Sequence, residues 1–434
     1  MRFKNLGIFV LLLAVIVLTT FWNGLFADPG NIRALIRDTS LYGLISIGVA
    51  FVIITGGIDL SIGSLIALSG VIFITMANIQ KYEVDYQSTV TDVVMVQDDI
   101  AVSLAERLPA VQAGDQLRTP SGQFVVASVV SEGRNKRLRL SPQSASSPVV
   151  GEAASLLRGG QPVRYVVTAH RSPWLCSAVV LGFCALIGLL HGVLIAWGRL
   201  QPFVVTLCGL LIYRGLARIL SSDTSKGFGD AMVGFRQFVG GPAFSFPLPF
   251  AGQISGSSDA WLTWIEFPWT GVLLAAVTLV AWVFLYQSVY GRHLLALGQN
   301  EQAALFSGIA TQRLTILAYS VCSTLAGLAG ILFLVDWTTM APSTAGSFYE
   351  LYAIAAAVLG GCSLRGGQGA LLGVIAGAAV MRCLYKSIDL LGIGKEWEFV
   401  VIGVALFAGV LFDEVVRRIS ARRQLAAKAR AQSE

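Results

Sequence analysis

Apolar residues run in long blocks through most of the chain. Blocks at 6–26, 41–55, 61–77, 174–197, 203–220, 269–286, 314–335, 351–359, 370–384 and 399–412 each predict a membrane-embedded helix. A full crossing needs about 20 largely apolar residues, so the shorter blocks predict broken or re-entrant helices that rely on their neighbours. The first block follows Arg2 and Lys4, but it is longer than the apolar core of a signal peptide and reads as a retained helix. The predicted fold is an all-α integral membrane protein of about ten helices with glycine-rich breaks.

Two segments depart from this pattern. Residues 81–171 alternate apolar and polar positions, as in Thr91-Asp92-Val93-Val94-Met95-Val96 and Gly122-Gln123-Phe124-Val125-Val126, with Gly, Pro and Ser clusters between. That alternation predicts strands with one buried face, hence an inserted small β-rich domain. The expected organisation is a first membrane part over 1–79, the insertion over 80–173, a second membrane part over 174–416 and a basic tail over 417–434. Residues 221–268 carry Phe228, Phe235, Phe238, Phe244, Phe246, Phe250, Trp261 and Trp264 without clear periodicity. They suit a membrane-interface aromatic belt, with a substrate funnel of stacking rings as the rival reading.

Composition agrees: 55% of residues are hydrophobic and only 13% charged, which excludes a disordered protein or a coiled coil and leaves little room for a soluble enzyme. Ten Lys or Arg and nine Asp or Glu, of 31 and 25 in the whole chain, fall within 81–171. The membrane blocks are therefore poorer still in charge. Orientation follows from basic residues in short loops. Arg2, Lys4, Arg199, Arg292, Arg313 and the tail all fall on one side, which places both termini in the cytoplasm and the helices in contact with membrane lipid. The loop 336–350 and the β-rich insertion then lie outside. The net charge of +6 comes largely from the tail and does not call for nucleic acid. Six cysteines without a CxxC spacing read as small buried hydrophobes. His170, His191 and His293 are too scattered for a histidine-rich metal site, and no catalytic motif or phosphate-binding Gly-x-x-x-x-Gly-Lys-(Ser/Thr) loop occurs.

Thr55-Gly56-Gly57-Ile58-Asp59-Leu60-Ser61-Ile62-Gly63 interrupts two apolar blocks, and Leu359-Gly360-Gly361-Cys362-Ser363-Leu364-Arg365-Gly366-Gly367 interrupts another two. Paired glycine interruptions in the two halves of a membrane protein mark a translocation pathway, although two cytoplasmic turns would give the same spacing. Asp59 is an acid at membrane depth, which is costly. It fits a helix cap, shared with Ser61, direct contact with a moving solute, or a gate.

These motifs resemble the ribose/xylose/galactose-type permeases of bacterial ABC importers. So do Gly291-Arg292-His293-Leu294-Leu295-Ala296-Leu297-Gly298-Gln299-Asn300-Glu301-Gln302-Ala303-Ala304, continuing to Gly308, and Gly198-Arg199-Leu200-Gln201-Pro202. The resemblance covers nearly the whole chain except 81–171. It implies a simple-sugar permease with no catalytic residue and no cofactor of its own. ATP and Mg would sit on a partner ATPase. A periplasmic binding protein would deliver the sugar, and a second permease copy or sister subunit would complete the membrane part. It implies pathway or gating roles for Gly56, Gly57, Asp59, Ser61, Gly63, Arg214, Gly360, Gly361 and Gly366. Gly298, Asn300, Glu301, Ala303, Ala304 and Gly308 are expected to couple to the ATPase as a short helix in a partner groove. A nucleoside or other small polar solute fits the same class. An ion-coupled secondary transporter is the rival from another class, and Asp59 is its only clear ion-site candidate.

Overall fold

The computed structural model describes residues 6–96, 99–105, 111–132, 135–141, 147–229, 232–256 and 262–397, with 399–401, 403, 404 and 407. The terminal basic residues, Trp261 and most of the expected span 399–412 lie outside the described residues. The chain divides into two compact units, Met1–Ala77 with Ser172–Glu434, and Asn78–Arg171.

The first unit is helical: α1 Leu6–Trp22, α2 Pro29–Ile54, α3 Ile62–Ala77, α4 Pro173–Ala196, α5 Pro202–Ser221, α6 Val233–Gly240, α7 Ala251–Ser255, α8 Trp269–Trp282, α9 Val289–Gln299, α10 Glu301–Phe306, α11 Thr311–Trp337, α12 Tyr349–Leu359 and α13 Leu371–Leu390. Six helices among the described residues are long and apolar enough to cross a membrane: α2, α4, α5, α8 with its π-helical extension to Gln287, α11 and α13. The helices Gly7–Trp22, Ile62–Ala77 and Tyr349–Leu359 are apolar but shorter. Proline at the first turn starts α2, α4 and α5, where its missing N–H costs nothing.

Burial separates inner from outer helices. Every residue of α2 from Ser40 to Ile54 is buried, so this helix has no solvent or lipid face over that length. It packs on α8, α11, α12 and α13, while α11 also packs on α3 and α4. By contrast, α4, α5 and α8 each expose an apolar side, with Leu186, Leu190, Leu211, Ile219, Leu279 and Val280 uncovered. A helix that is apolar all round belongs inside the bundle, and one with a bare apolar stripe suits contact with lipid. Five of the six cysteines are buried as expected, but Cys208 is exposed, because it sits on the outer side of α5.

Helix α2 starts twelve residues before the apolar block that predicted it. Arg33, Arg37 and Asp38 hid the extension, and each is paired: Arg33 with Glu266, Arg37 with Asp38 and Asp336, and Asp38 with Arg382. Segment 221–268, which shows no clear periodicity in sequence, is partly ordered as strands. It contains the antiparallel hairpin of β11 Pro242–Pro249 and β12 Leu262–Pro268, in which Phe244 stacks on Phe267. A two-residue bridge joins β10 Lys226–Gly227 to β13 Thr339–Met340.

The second unit is all β: β1 Asn78–Asp85, β2 Gln87–Val96, β3 Asp99–Leu104, β4 Gln116–Thr119, β5 Gly122–Glu132, β6 Asn135–Ser141, β7 Ala153–Arg158, β8 Gln161–Pro162 and β9 Arg164–His170. β1 and β9 form an antiparallel ribbon that starts with Asn78 opposite His170. The rest make one antiparallel sheet in the order β2-β3-β6-β5-β4-β7-β8, and a further β2–β7 pairing closes it barrel-fashion. Its core is Tyr86, Val90, Val102, Leu117, Phe124, Val126, Leu138, Leu140, Ala154 and Leu156. Closure removes the unpaired edges that an open sheet exposes.

Candidate functional site

The two glycine breaks meet. The end of α2, the end of α9 and the loop between α12 and α13 cross at backbone distance, with the Gly367 N–H donating to the Ile54 carbonyl at 2.9 Å. A Cβ on Gly298 would collide with the Ile54 carbonyl oxygen and the Gly367 nitrogen. One on Gly366 would come within 2.6 Å of the Gly298 oxygen and 3.0 Å of the Gly56 nitrogen. Gly56, Gly361 and Gly366 have φ of +84°, +94° and +85°, a region that favours glycine. Gly360 lies against the backbone of Gly373 and Val374, at the close approach of α12 to α13.

Past the crossing the chain turns inward. Asp59 is fully buried. Its Oδ1 accepts from the Ser61 N–H at 2.8 Å and the Ser61 hydroxyl at 2.6 Å. The Ser61 carbonyl in turn takes the N–H of Leu65 at 2.9 Å. Asp59 thus braces the residue that precedes α3 instead of meeting the helix N–H groups itself. Its Oδ2 meets no N–H or O–H donor, and the carboxylate lies beside the Cys322 thiol. Around the carboxylate lie His191 on α4, Tyr213 on α5, Tyr319 and Cys322 on α11, and Glu350 on α12. His191 Nε2 and the Tyr213 hydroxyl are 2.7 Å apart, while His191 Nδ1 is buried without a partner. The Ile58 carbonyl accepts from Thr206 at 3.3 Å. Gly57 lies against the Tyr319 hydroxyl, and Gly63 against Glu350 and the Gly346 carbonyl.

Arg214 does not reach Asp59. Its guanidinium donates to the carbonyls of Pro342 and Ala345, at 3.1 and 2.5 Å, tying α5 to the turn that leads into α12. Arg218, one turn on, pairs with Asp223 at 2.7 Å.

The segment after the crossing forms α10. Asn300 caps it, with Oδ1 accepting from the Ala303 N–H at 2.9 Å. Gly308, with φ of +79° and open space around it, follows its end. Glu301 and Ala303 are exposed, but Ala304 is buried and offers no surface to a partner. The residues missed on sequence grounds are Leu305 and Phe306, which are 58% and 88% exposed. Their apolar character was legible in the sequence; their outward direction was not, because a six-residue helix carries too little periodicity.

Among the described residues, no group of three or more His, Cys, Asp or Glu could hold a metal ion. The helical unit combines inner broken helices, an outer set with bare apolar faces, and a short exposed helix next to the crossing. A family model described as "Branched-chain amino acid transport system / permease component" matches residues 31–410. The chain belongs to this family. It is therefore a membrane permease component and not an enzyme. The ribose import permease protein RbsC of Bacillus subtilis is 27% identical over 410 residues, covering 94% of this chain and 92% of the relative. RbsC of Escherichia coli K12 is 28% identical over 406 residues, covering 93% and 92%. The xylose transport system permease protein XylH of Haemophilus influenzae is 27% identical over 421 residues, covering 94% and 96%. No solved structure matches.

Proposed function

We infer that this permease is the membrane subunit of an ATP-driven importer for a simple sugar of the pentose class. It works in a bacterial inner membrane with a separate ATPase subunit, a periplasmic sugar-binding protein and a second permease subunit. The observation that carries this reading is the crossing of Ile54, Gly298 and Gly367 beside the exposed helix α10. α9 and α10 are joined by the single residue Asn300, so a push on α10 acts directly on the crossing. From there it reaches both glycine breaks at once. α2, continuing into α3, and α12 with α13 are the elements such a push would move. ATP and Mg belong to the ATPase, and this chain supplies the mechanical relay and the path.

The pentose class is supported by the names of the relatives, ribose and xylose permeases aligned over most of the chain. The family description names branched-chain amino acids instead and favours a second reading. Proteoliposomes holding this permease, its ATPase and its binding protein should take up D-ribose or D-xylose only with ATP inside. Uptake of L-leucine in place of either sugar would decide for the second reading.

A further inference from the structure

A cavity of about 460 Å³ lies among α2, α11, α12 and α13, within the usual size range of small-molecule sites. It sits near the start of α2, sixteen residues or roughly 24 Å of helix from the crossing at Ile54. Its polar lining is a chain of ion pairs. Arg382 donates to Asp38 at 2.6 Å, Asp38 lies 3.2 Å from Arg37, and Arg37 lies 2.8 Å from Asp336. Its apolar lining is aromatic and includes Tyr42, Trp337, Tyr349 and Tyr352. The Arg382 guanidinium is held between the rings of Tyr42 and Tyr385, 4.7 and 4.5 Å from their centroids.

These ion pairs are half-buried, and such pairs add little stability, so a bundle gains nothing in rigidity by leaving a void beside one. The arrangement is instead pre-ordered: each charge is fixed by its partner, and Arg382 also by two rings. Two cations and two anions sum to zero, which suits a neutral solute and disfavours an anion or a metal ion. Paired carboxylates and guanidinium groups offer acceptors and donors to hydroxyls, and the rings offer flat faces to C–H groups.

The geometry points to this cavity as a binding site for one neutral, polyhydroxylated ring, an assignment that rests on the sugar-import reading above. Its walls also connect it to the machinery. Tyr349 and Tyr352 begin α12, whose far end is the glycine loop at the crossing, and Tyr42 lies on α2, which ends at Ile54. Two helices thus run from the cavity to the place where α10 acts.

Ser347 lines the cavity and is half-buried, so it can report occupancy. In a Cys208→Ser background, which removes the exposed native thiol, Ser347→Cys in the purified importer complex is treated with a maleimide. D-ribose or D-xylose, but not L-leucine, should slow labelling about tenfold. In proteoliposomes, Trp337→Leu should cut ATP-driven sugar uptake about tenfold while the ATPase still co-purifies. If wild-type complex transports the sugar yet labelling is unprotected, the cavity is not the site, and protection by L-leucine alone overturns the ligand class. If wild-type complex transports neither sugar, the import reading itself fails. Should Trp337→Leu not assemble, the labelling result decides alone.

Discussion

At the scale of single residues, Asp59 separates shape from charge. Asp59→Asn keeps an oxygen where Oδ1 now accepts from the Ser61 N–H and hydroxyl. Asp59→Ala leaves both donors buried and unmet, at a cost of about 1–3 kcal/mol. Thermal unfolding of the purified complex should therefore fall for Asp59→Ala and hardly move for Asp59→Asn. ATP-driven uptake should be lost in Asp59→Ala; wild-type uptake there would remove this acid from any pathway role. Gly298 is tested by contrast with Gly215. Gly298→Ala drives a methyl into two backbone segments that have nowhere to retreat, and should cost about 3 kcal/mol or more. Gly215→Ala meets nothing within 4 Å and should be silent in the same unfolding assay.

At the scale of elements, α10 carries the coupling prediction. If α10 docks on the ATPase, the exposed phenylalanine and leucine at its end are the patch it would cover. Phe306→Ala should leave membrane insertion intact and reduce ATPase co-purification about tenfold, as expected of an apolar anchor. Ala303→Glu should do the same from the exposed face. Ala304→Glu should act differently, by forcing a buried position open and lowering the unfolding temperature as well. Co-purification unchanged in all three would refute the docking role. The inner helices show what a sequence reveals and hides. Glycine pairs at 56–57 and 360–361 are visible as breaks, because no long apolar block tolerates them without a reason. That they meet at Gly298 was not visible, since the contact joins residues far apart in sequence. The start of α2 was hidden by Arg33, Arg37 and Asp38, whose partners Glu266, Asp336 and Arg382 lie hundreds of residues away. The β-rich insertion was legible from its alternation. Its closure through β2 and β7 was not, because local alternation says nothing about which strands pair.

At the scale of the whole molecule, two units with different physics share one chain, and each predicts its own behaviour. In the β unit, Asp115 accepts both Arg158 Nε and a terminal nitrogen at 2.8 Å, and the Gln112 N–H at 2.9 Å. The hydrogen-bonded Arg158 guanidinium holds the Asp115 carboxyl below its ordinary value, against the opposing effect of burial. A lowered folded value means that the charged form stabilises the fold. That stability is complete above the unfolded value of about 3.9 and is lost as pH falls through the lower, folded one. Hydrogen exchange in β4 and β7 of the full chain should rise below about pH 4, and Arg158→Met should move that rise to higher pH. The membrane unit should not need the β unit to fold, because its ends are already together: Asn78 and His170 are partners across the β1–β9 ribbon, and α3 packs against α4. Replacing 78–171 by a short Gly/Ser bridge should give a chain that inserts, retains its ATPase and transports when loaded binding protein is in excess. The loops that best tolerate inserted domains are exposed ones, and the basic loop residues predict that this one lies outside the cell membrane. A maleimide that cannot cross membranes should then label Ser131→Cys in spheroplasts without lysis. If the β unit helps dock the binding protein, the shortened importer should show a raised half-saturating concentration of that protein at unchanged maximal uptake. An unchanged value would leave the unit as a passenger on the transport path, and labelling only after lysis would reverse the orientation of every helix.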